Sequence, residues 1–149
     1  MDRKHAFIMM IQEKWWNGFL DRLRQGKQTH SYVQKGSAAP ELASILMFYV
    51  TKPTGQVEGY ADFIGRRVGD SDDLWELYGH ESVLKSKEEF INFTEDRQQV
   101  TFIRFKNLQK TVKPIPLNDL LLILGVSRLS RKGFYVEREM AEKLVGLMQ

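Results

Sequence analysis

The 149-residue chain contains no cysteine, so it can form neither disulfides nor thiolate metal ligands. That excludes a disulfide-stapled secreted scaffold and a cysteine-based zinc site. Histidine is scarce too: His5, His30 and His80 lie far apart with no paired ligand spacing, so no metal centre and no cofactor are expected. The chain has no internal repeat and no glycine-rich phosphate loop of the nucleotide-binding kinds. Behind a basic start, the apolar run Ala6 to Ile11 is too short for a signal-peptide core or a membrane span. A cytoplasmic protein without a membrane partner is therefore expected. His80-Glu81-Ser82 has the residue types of a hydrolytic triad, but adjacent residues on one strand or loop point apart, and the tripeptide reads as a structural turn.

At 149 residues with 42% apolar content, the chain can bury one sizeable core, and a single domain over residues 1–149 is expected. The most informative stretch is Ile45 to Phe63, where two apolar runs flank Lys52-Pro53-Thr54-Gly55-Gln56. Val, Ile, Phe and Tyr suit a pleated, half-buried surface, and Pro and Gly break the run where the chain reverses, so the segment reads as a β-hairpin. Ile45 to Val50 is too continuously apolar to have a wet face and should be a central strand. Thr51 and Lys52 then stand at the rim where a buried strand ends, a place where small barrels open ligand sites.

The remaining elements are shorter. A strand is expected from His5 to Ile11, then a helix from Gln12 to Arg24 with Trp16, Phe19, Leu20 and Leu23 inward, ended by Gly26. A strand from His30 to Gln34 follows, and a helix from Asp70 to Tyr78. Ser86 to Glu89 forms a capping box that opens a helix toward Phe93. Val100 to Phe105 is a strand, and Lys110 to Pro116 stays extended because its prolines disfavour helix before them. Asn118 is expected to cap a helix through Leu124, stopped by Gly125. A last helix from about Glu137 places Met140, Leu144 and Leu147 inward. With strands in the middle and connections mostly too short for parallel crossovers, the class is α+β: a small mixed and antiparallel β-barrel decorated with helices.

Net charge is only +3, yet it is unevenly spread. Glu58 to Asp96 holds eleven acidic and four basic residues, whereas Arg97 to Arg138 holds nine basic and two acidic. Brought together with Lys27, Lys35 and Lys52, the late basic residues would make the positive face that nucleic acid requires. The alternative is that the two segments pack side by side and cancel.

Four segments carry a family resemblance. Phe19 to Lys35, FLDRLRQGKQTHSYVQK, resembles the signature of ASCH domains, and Ile45 to Phe63 resembles the next part of that domain and of its EVE and YTH relatives. Ser127 to Leu144 resembles the close of EVE-type domains, all within the PUA-like superfamily. The chain is most similar to an archaeal family of that clan whose function is not established, through FYVTKP (Phe48 to Pro53), HESVLKS (His80 to Ser86) and PIPLNDLL (Pro114 to Leu121). The resemblance implies a PUA-like barrel with a ligand cleft beside its mouth, between barrel and helices. Some small ASCH proteins are amidohydrolases of acylated cytidine that use a Lys, a Thr and a Glu. Here the lysine is one residue early, Gln28 falls where that lysine would stand, and Ser31 replaces the threonine.

Candidate binding residues are thus Lys27, Thr29 and Ser31 after the Gly26 turn, and Tyr49, Thr51 and Lys52 at the hairpin. To these the basic-aromatic cluster adds Arg128, Ser130, Arg131 and Phe134, with Lys132 and Gly133 between them. Arginine holds phosphate bidentately or stacks on a base. Trp15 and Trp16 point about 100° apart on a helix, so one of them should reach the surface or the cleft and, with Tyr49 and Tyr60, offer a stacking wall. The favoured function is binding of RNA or another nucleic acid, with a modified or flipped base in the cleft. The rival is an ASCH-like enzyme, an amidohydrolase on modified nucleosides or a ribonuclease, with Lys27 or Lys52 as base and Thr29, Ser31 or Thr51 as nucleophile. For each cluster the plainer alternative is a solvated turn. Nothing in the chain specifies an oligomeric state.

Overall fold

The computed structural model describes residues 4–149; the rest of the basic start lies outside them. In chain order the elements are β1 (Ala6–Ile11), α1 (Glu13–Arg24), β2 (Thr29–Lys35), β3 (Ile45–Val50), β4 (Gln56–Asp70) and α2 (Ser71–Tyr78). A single 3-10 turn (Gly79–Glu81) leads to α3 (Lys87–Thr94), β5 (Gln99–Pro116), α4 (Leu117–Leu124), β6 (Phe134–Val136) and α5 (Arg138–Met148).

The two longest strands, β4 and β5, pair antiparallel over almost their whole length, and three register shifts interrupt the ladder: opposite Val57/Gly59 and Tyr60/Asp62 the extra residues lie in β5, and at Phe63/Gly65 the extra residue lies in β4. Each extra residue bends the strand and raises its right-handed twist, so the ribbon coils. Its first half in β4 also pairs with β3, from Val50 opposite Gln56 to Ile45 opposite Asp62. The other half in β5 pairs with β2, from Lys35 opposite Val100 to Thr29 opposite Lys106. β1 lies parallel to β3, β6 pairs with β1 over three residues, and the sheet order is β2-β5-β4-β3-β1-β6. The sheet rolls so that Phe7, Met9 and Ile11 of β1 share a core with Tyr32 of β2 and Phe105 of β5. The outcome is a barrel-type α+β fold, as expected, whose seam runs between β1/β6 and β2.

β3 is the central strand that its sequence predicts. Leu46, Phe48 and Val50 face the barrel interior with Trp16 and Phe19 of α1; Met47 and Tyr49 face outward beneath Leu120, Ala141, Leu144 and Met148 of α4 and α5. A third cluster joins Leu74 and Phe90 of α2 and α3 to Val33 and Phe102.

The structure corrects several sequence expectations. β4 continues past Phe63 to Asp70, and Val100–Phe105 and Lys110–Pro116 are one strand, continuous through Asn107 at φ 54°. Asn118 does not cap α4: the helix starts at Leu117 directly after Pro116, whose ring fixes an extended entry, and the Leu117 N–H is already bonded to Gly55 O at 3.1 Å. In α5 the inward face is Ala141, Leu144 and Met148, while Leu147 is 45% exposed. Asp70 is the N-cap of α2, its carboxylate accepting from Asp73 N–H, and Ser86 likewise accepts from Glu89 N–H.

Gly59, at the first bulge, carries a packing constraint. A Cβ there would lie 2.4 Å from Gln109 O and 2.7 Å from the Trp16 ring, which is 2% exposed. Gly59→Ala is therefore expected to destabilise the fold by about 1–3 kcal/mol through overpacking, read as a lowered thermal midpoint; an unchanged midpoint would mean the ring is free to move.

Candidate nucleic-acid interface

The seam contains a cleft of about 320 Å3. Its floor is Phe7, Met9 and Met10 of β1, its far wall Gln34 and the Ser37–Ala39 loop, and its lip Arg131 and Lys132. Arg131 also lines an adjoining open basin of about 690 Å3, formed with Arg128, Leu129, Ser130 and Phe134. Among the described residues Arg128, Arg131 and Lys132 enter no ion pair, whereas Lys35, Lys87 and Arg104 are matched to Glu95, Asp72 and Glu81. The uneven charge along the chain is thus partly cancelled by pairing and partly left as a cationic edge beside the seam.

A fixed turn aims these cations. Gly133 sits on the ring of Phe7 at φ +100°, and a Cβ there would fall 2.0 Å from the ring's Cζ. Phe7 is itself held edge-on by Tyr135, with centroids 4.9 Å apart. Ser130 closes the turn: its carbonyl accepts from Gly133 N–H at 3.1 Å and its hydroxyl from Lys132 N–H at 3.2 Å. Gly133→Ala meets both a forbidden φ and an aromatic ring, so a loss of about 2 kcal/mol or more is expected by urea melting; a cost no larger than a surface substitution would show that the loop detaches easily from Phe7.

The other predicted residues lie outside this cluster, some exposed and some buried. Lys27 is exposed in the cap of α1, where Gly26 N–H bonds Leu23 O and Lys27 N–H bonds Arg22 O, each at 3.0 Å, around a glycine at φ +84°. Thr29 begins β2, about 20 Å of extended chain from Lys35 at its other end. Thr51 and Lys52 form the β3–β4 turn, whose Thr54 hydroxyl bonds Glu13 at the start of α1. Tyr49 is 6% exposed with its hydroxyl beside Gly55, and burial raises its pKa. As the helical geometry predicts, the tryptophans divide: Trp16 is buried, and half-buried Trp15 meets Phe93 edge-on at 5.0 Å with Lys14 Nζ 4.7 Å from its ring centre. The structure thus brings Arg128, Ser130, Arg131 and Phe134 together, whereas neither the Gly26 turn nor the hairpin tip lines the cleft or the basin.

Ser31 belongs to a network that no local motif announced. It is fully buried, and its hydroxyl donates to Glu81 Oε1 at 2.8 Å. Arg104 grips the same carboxylate as a fork, Nε to Oε1 at 2.9 Å and Nη2 to Oε2 at 3.0 Å. Burial alone would raise the Glu81 pKa, but the hydrogen bonds from Arg104 and Ser31 overcome it and the pKa is lowered. A carboxylate so held is a poor base for the Ser31 hydroxyl. His80-Glu81-Ser82 is the structural turn expected, pinned by Arg22, which donates to the carbonyls of His80 (3.0 Å), Ser82 (3.3 Å) and Thr29 (2.9 Å).

Arg22 Nε also donates to His30 Nδ1 at 3.0 Å, which places the imidazole proton on Nε2, a buried atom with no hydrogen-bond partner among the described residues. Burial first, and the Arg22 charge second, lower the His30 pKa to about 4. Because the unfolded chain protonates His30 near its ordinary pKa and the folded chain only near 4, the stability from this group is full above about 6.5. It is lost progressively as pH falls to about 4. Chemical-denaturation midpoints between pH 6.5 and 5 should therefore fall less steeply in His30→Gln than in wild type; parallel curves would mean that buried His30 does not resist protonation.

No family model matches the chain, and no curated protein sequence is significantly similar to it. Solved structures are. A crystal structure of ASCH from Zymomonas mobilis superposes with a TM-score of 0.78 at 23% identity, over 99% of this chain and 98% of that one. A serine-to-alanine variant of the same protein gives 0.77 at 24% identity, over 99% of both chains. A tyrosine-to-phenylalanine variant gives 0.77 at 22%, over 99% of this chain and 100% of the other. At such identities the likeness establishes the fold, which is that of the ASCH structures. No helix among the described residues is long and apolar enough to cross a membrane.

Proposed function

We propose that the chain is a cytoplasmic nucleic-acid-binding module of the ASCH/EVE-related kind, from the archaeal branch marked by FYVTKP, HESVLKS and PIPLNDLL, with RNA as its partner and a single base taken into the seam. One observation carries this reading: Arg131 stands between a cleft with an apolar, thioether-rich floor and a basin lined with Arg128, Ser130 and Phe134. A nucleotide has that same division into an aromatic base and a phosphate. Guanidinium groups at the junction neutralise phosphate, and the cleft beside them has room for a base. Lys52 and Lys27 are exposed and available to the flanking backbone.

Fluorescence anisotropy with a short single-stranded RNA is expected to show affinity that falls steeply between about 50 and 200 mM salt. Arg131→Ala should weaken binding and lower the salt slope by about one, whereas Arg67→Ala should change affinity by less than about twofold. Arg67 is remote from this lip, its guanidinium bonded to the Tyr78 hydroxyl at 2.7 Å. Equal losses in the two variants would reduce the interface to diffuse charge. Electrophoresis of the recovered probe tests the catalytic rival, and an intact strand is expected; cleavage that disappears in Lys52→Arg, where a cation remains but cannot act as a base, would replace binding with catalysis.

A further inference from the structure

The seam is bounded by an unfinished strand edge. The carbonyls of His5, just before β1, and of Ile11 at its end accept from Ile45 N–H and Thr51 N–H, at 3.3 and 2.9 Å, so the odd-numbered residues of β1 turn their main-chain groups toward β3. A strand residue presents its N–H and C=O to the same side, and the sides alternate. Ala6, Ile8 and Met10 therefore turn theirs the other way, toward β6. β6 pairs with β1 only from Ala6 to Ile8, where Phe134 ends it, and Met10 is left beyond the last pair, lining the cleft. Its amide and carbonyl form a donor and an acceptor side by side on the cleft floor. Across the gap stands Gln34, on the interior face of β2 two residues from Tyr32. Its side-chain amide is a neighbour of the Tyr32 hydroxyl, which burial keeps protonated, its pKa raised to about 12.

We propose that Met10 and Gln34 are the specificity-determining pair of this cleft: the Met10 main chain and the Gln34 amide read the hydrogen-bonding edge of one unpaired nucleobase. This deepens the nucleic-acid-binding reading and rests on it. The Watson–Crick edge of every base carries a donor beside an acceptor, so the Met10 pair favours a base over planar groups that lack one. Gln34, whose amide offers both a donor and an acceptor, selects among bases. Arg131 and Lys132 at the lip hold the phosphates on either side and contribute no selection. The volume is at the lower end of the range for small-molecule sites, about 300–1,000 Å3, which suits one base with its ribose and not a stacked pair.

The test is competitive anisotropy on the full chain, using short RNA homopolymers of each base and a strand with one central abasic residue. Wild type should bind the abasic strand about tenfold more weakly than its intact counterpart and should rank the homopolymers over at least about a fivefold range. Gln34→Ala and the shape-conserving Gln34→Glu should flatten that ranking while keeping the salt slope; Arg131→Ala should weaken every strand alike and lower the slope. Met10→Pro removes the N–H that faces the cleft, which no ladder bond uses, and fixes the local φ; in a variant that still folds it should abolish the abasic discrimination that Met10→Leu retains. Thermal melts identify any variant that fails to fold, and the remaining variants then carry the comparison. Equal affinity of wild type for abasic and intact strands overturns the base-reading role and leaves the electrostatic interface standing, as does a ranking unchanged in both folded Gln34 variants. Failure of every strand to bind even at low salt overturns both readings.

Discussion

The coiling of the β4–β5 ribbon is the constraint on which the other features depend. Two straight strands of this length would make a flat sheet with β2 at one margin and β1 and β6 at the other, too far apart to share a core. Three register shifts along the ribbon, two with their extra residues in β5 and one in β4, turn it on itself, and Phe7, Tyr32 and Phe105 then meet in a single interior. The coil stops short of closure. A seam remains because β6 is three residues long and β2 has no partner beyond β5, and that shortfall leaves room for a cleft at the join.

The helical side is held by polar contacts as well as by packing. Glu81, one residue of a 3-10 turn, receives Ser31 from β2 and Arg104 from β5, while Arg22 of α1 binds three carbonyls along the same line. Tyr78 covers the Arg104 guanidinium at 4.5 Å from its ring centre. Deleting one member would leave a charge buried without its partner, which costs more than the pair contributes, so the network acts as a register for the α2–α3 segment. It also bears on chemistry: the hydroxyl–carboxylate pair of Ser31 and Glu81 is already saturated by arginine.

How much of this the sequence discloses depends on the range of the interaction. The β3–β4 hairpin, the glycine stop after α1 and the Ser86 cap are local, and the apolar runs and turn residues mark them directly. The far half of β4, Ile64 to Asp70, escapes because the bulge at Ile64 breaks the two-residue period and Gly65, Arg66, Arg67 and Gly69 lack the apolar signature of a strand. β6 is too short for any period, so Phe134 and Tyr135 read only as aromatics after a basic turn. Arg128, Ser130, Arg131 and Phe134 were legible as a cluster because they are close in the chain. Gln34 and Met10 were not, since they meet across a seam set by the coil of two other strands. Ser31 and Glu81 stand 50 residues apart, and only the fold makes them a pair.

The same open seam has a consequence for self-association. A strand edge with unmet hydrogen-bonding groups invites addition of another chain's strand, the first step of edge-to-edge aggregation. Here the bare stretch of β1 is recessed and guarded: Arg131 and Lys132 stand over it on a turn anchored by Gly133 against Phe7, and a second copy approaching this edge would bring the same two cations. Like-charge repulsion at the entrance makes the cationic lip a gatekeeper that refuses a strand and admits an anion.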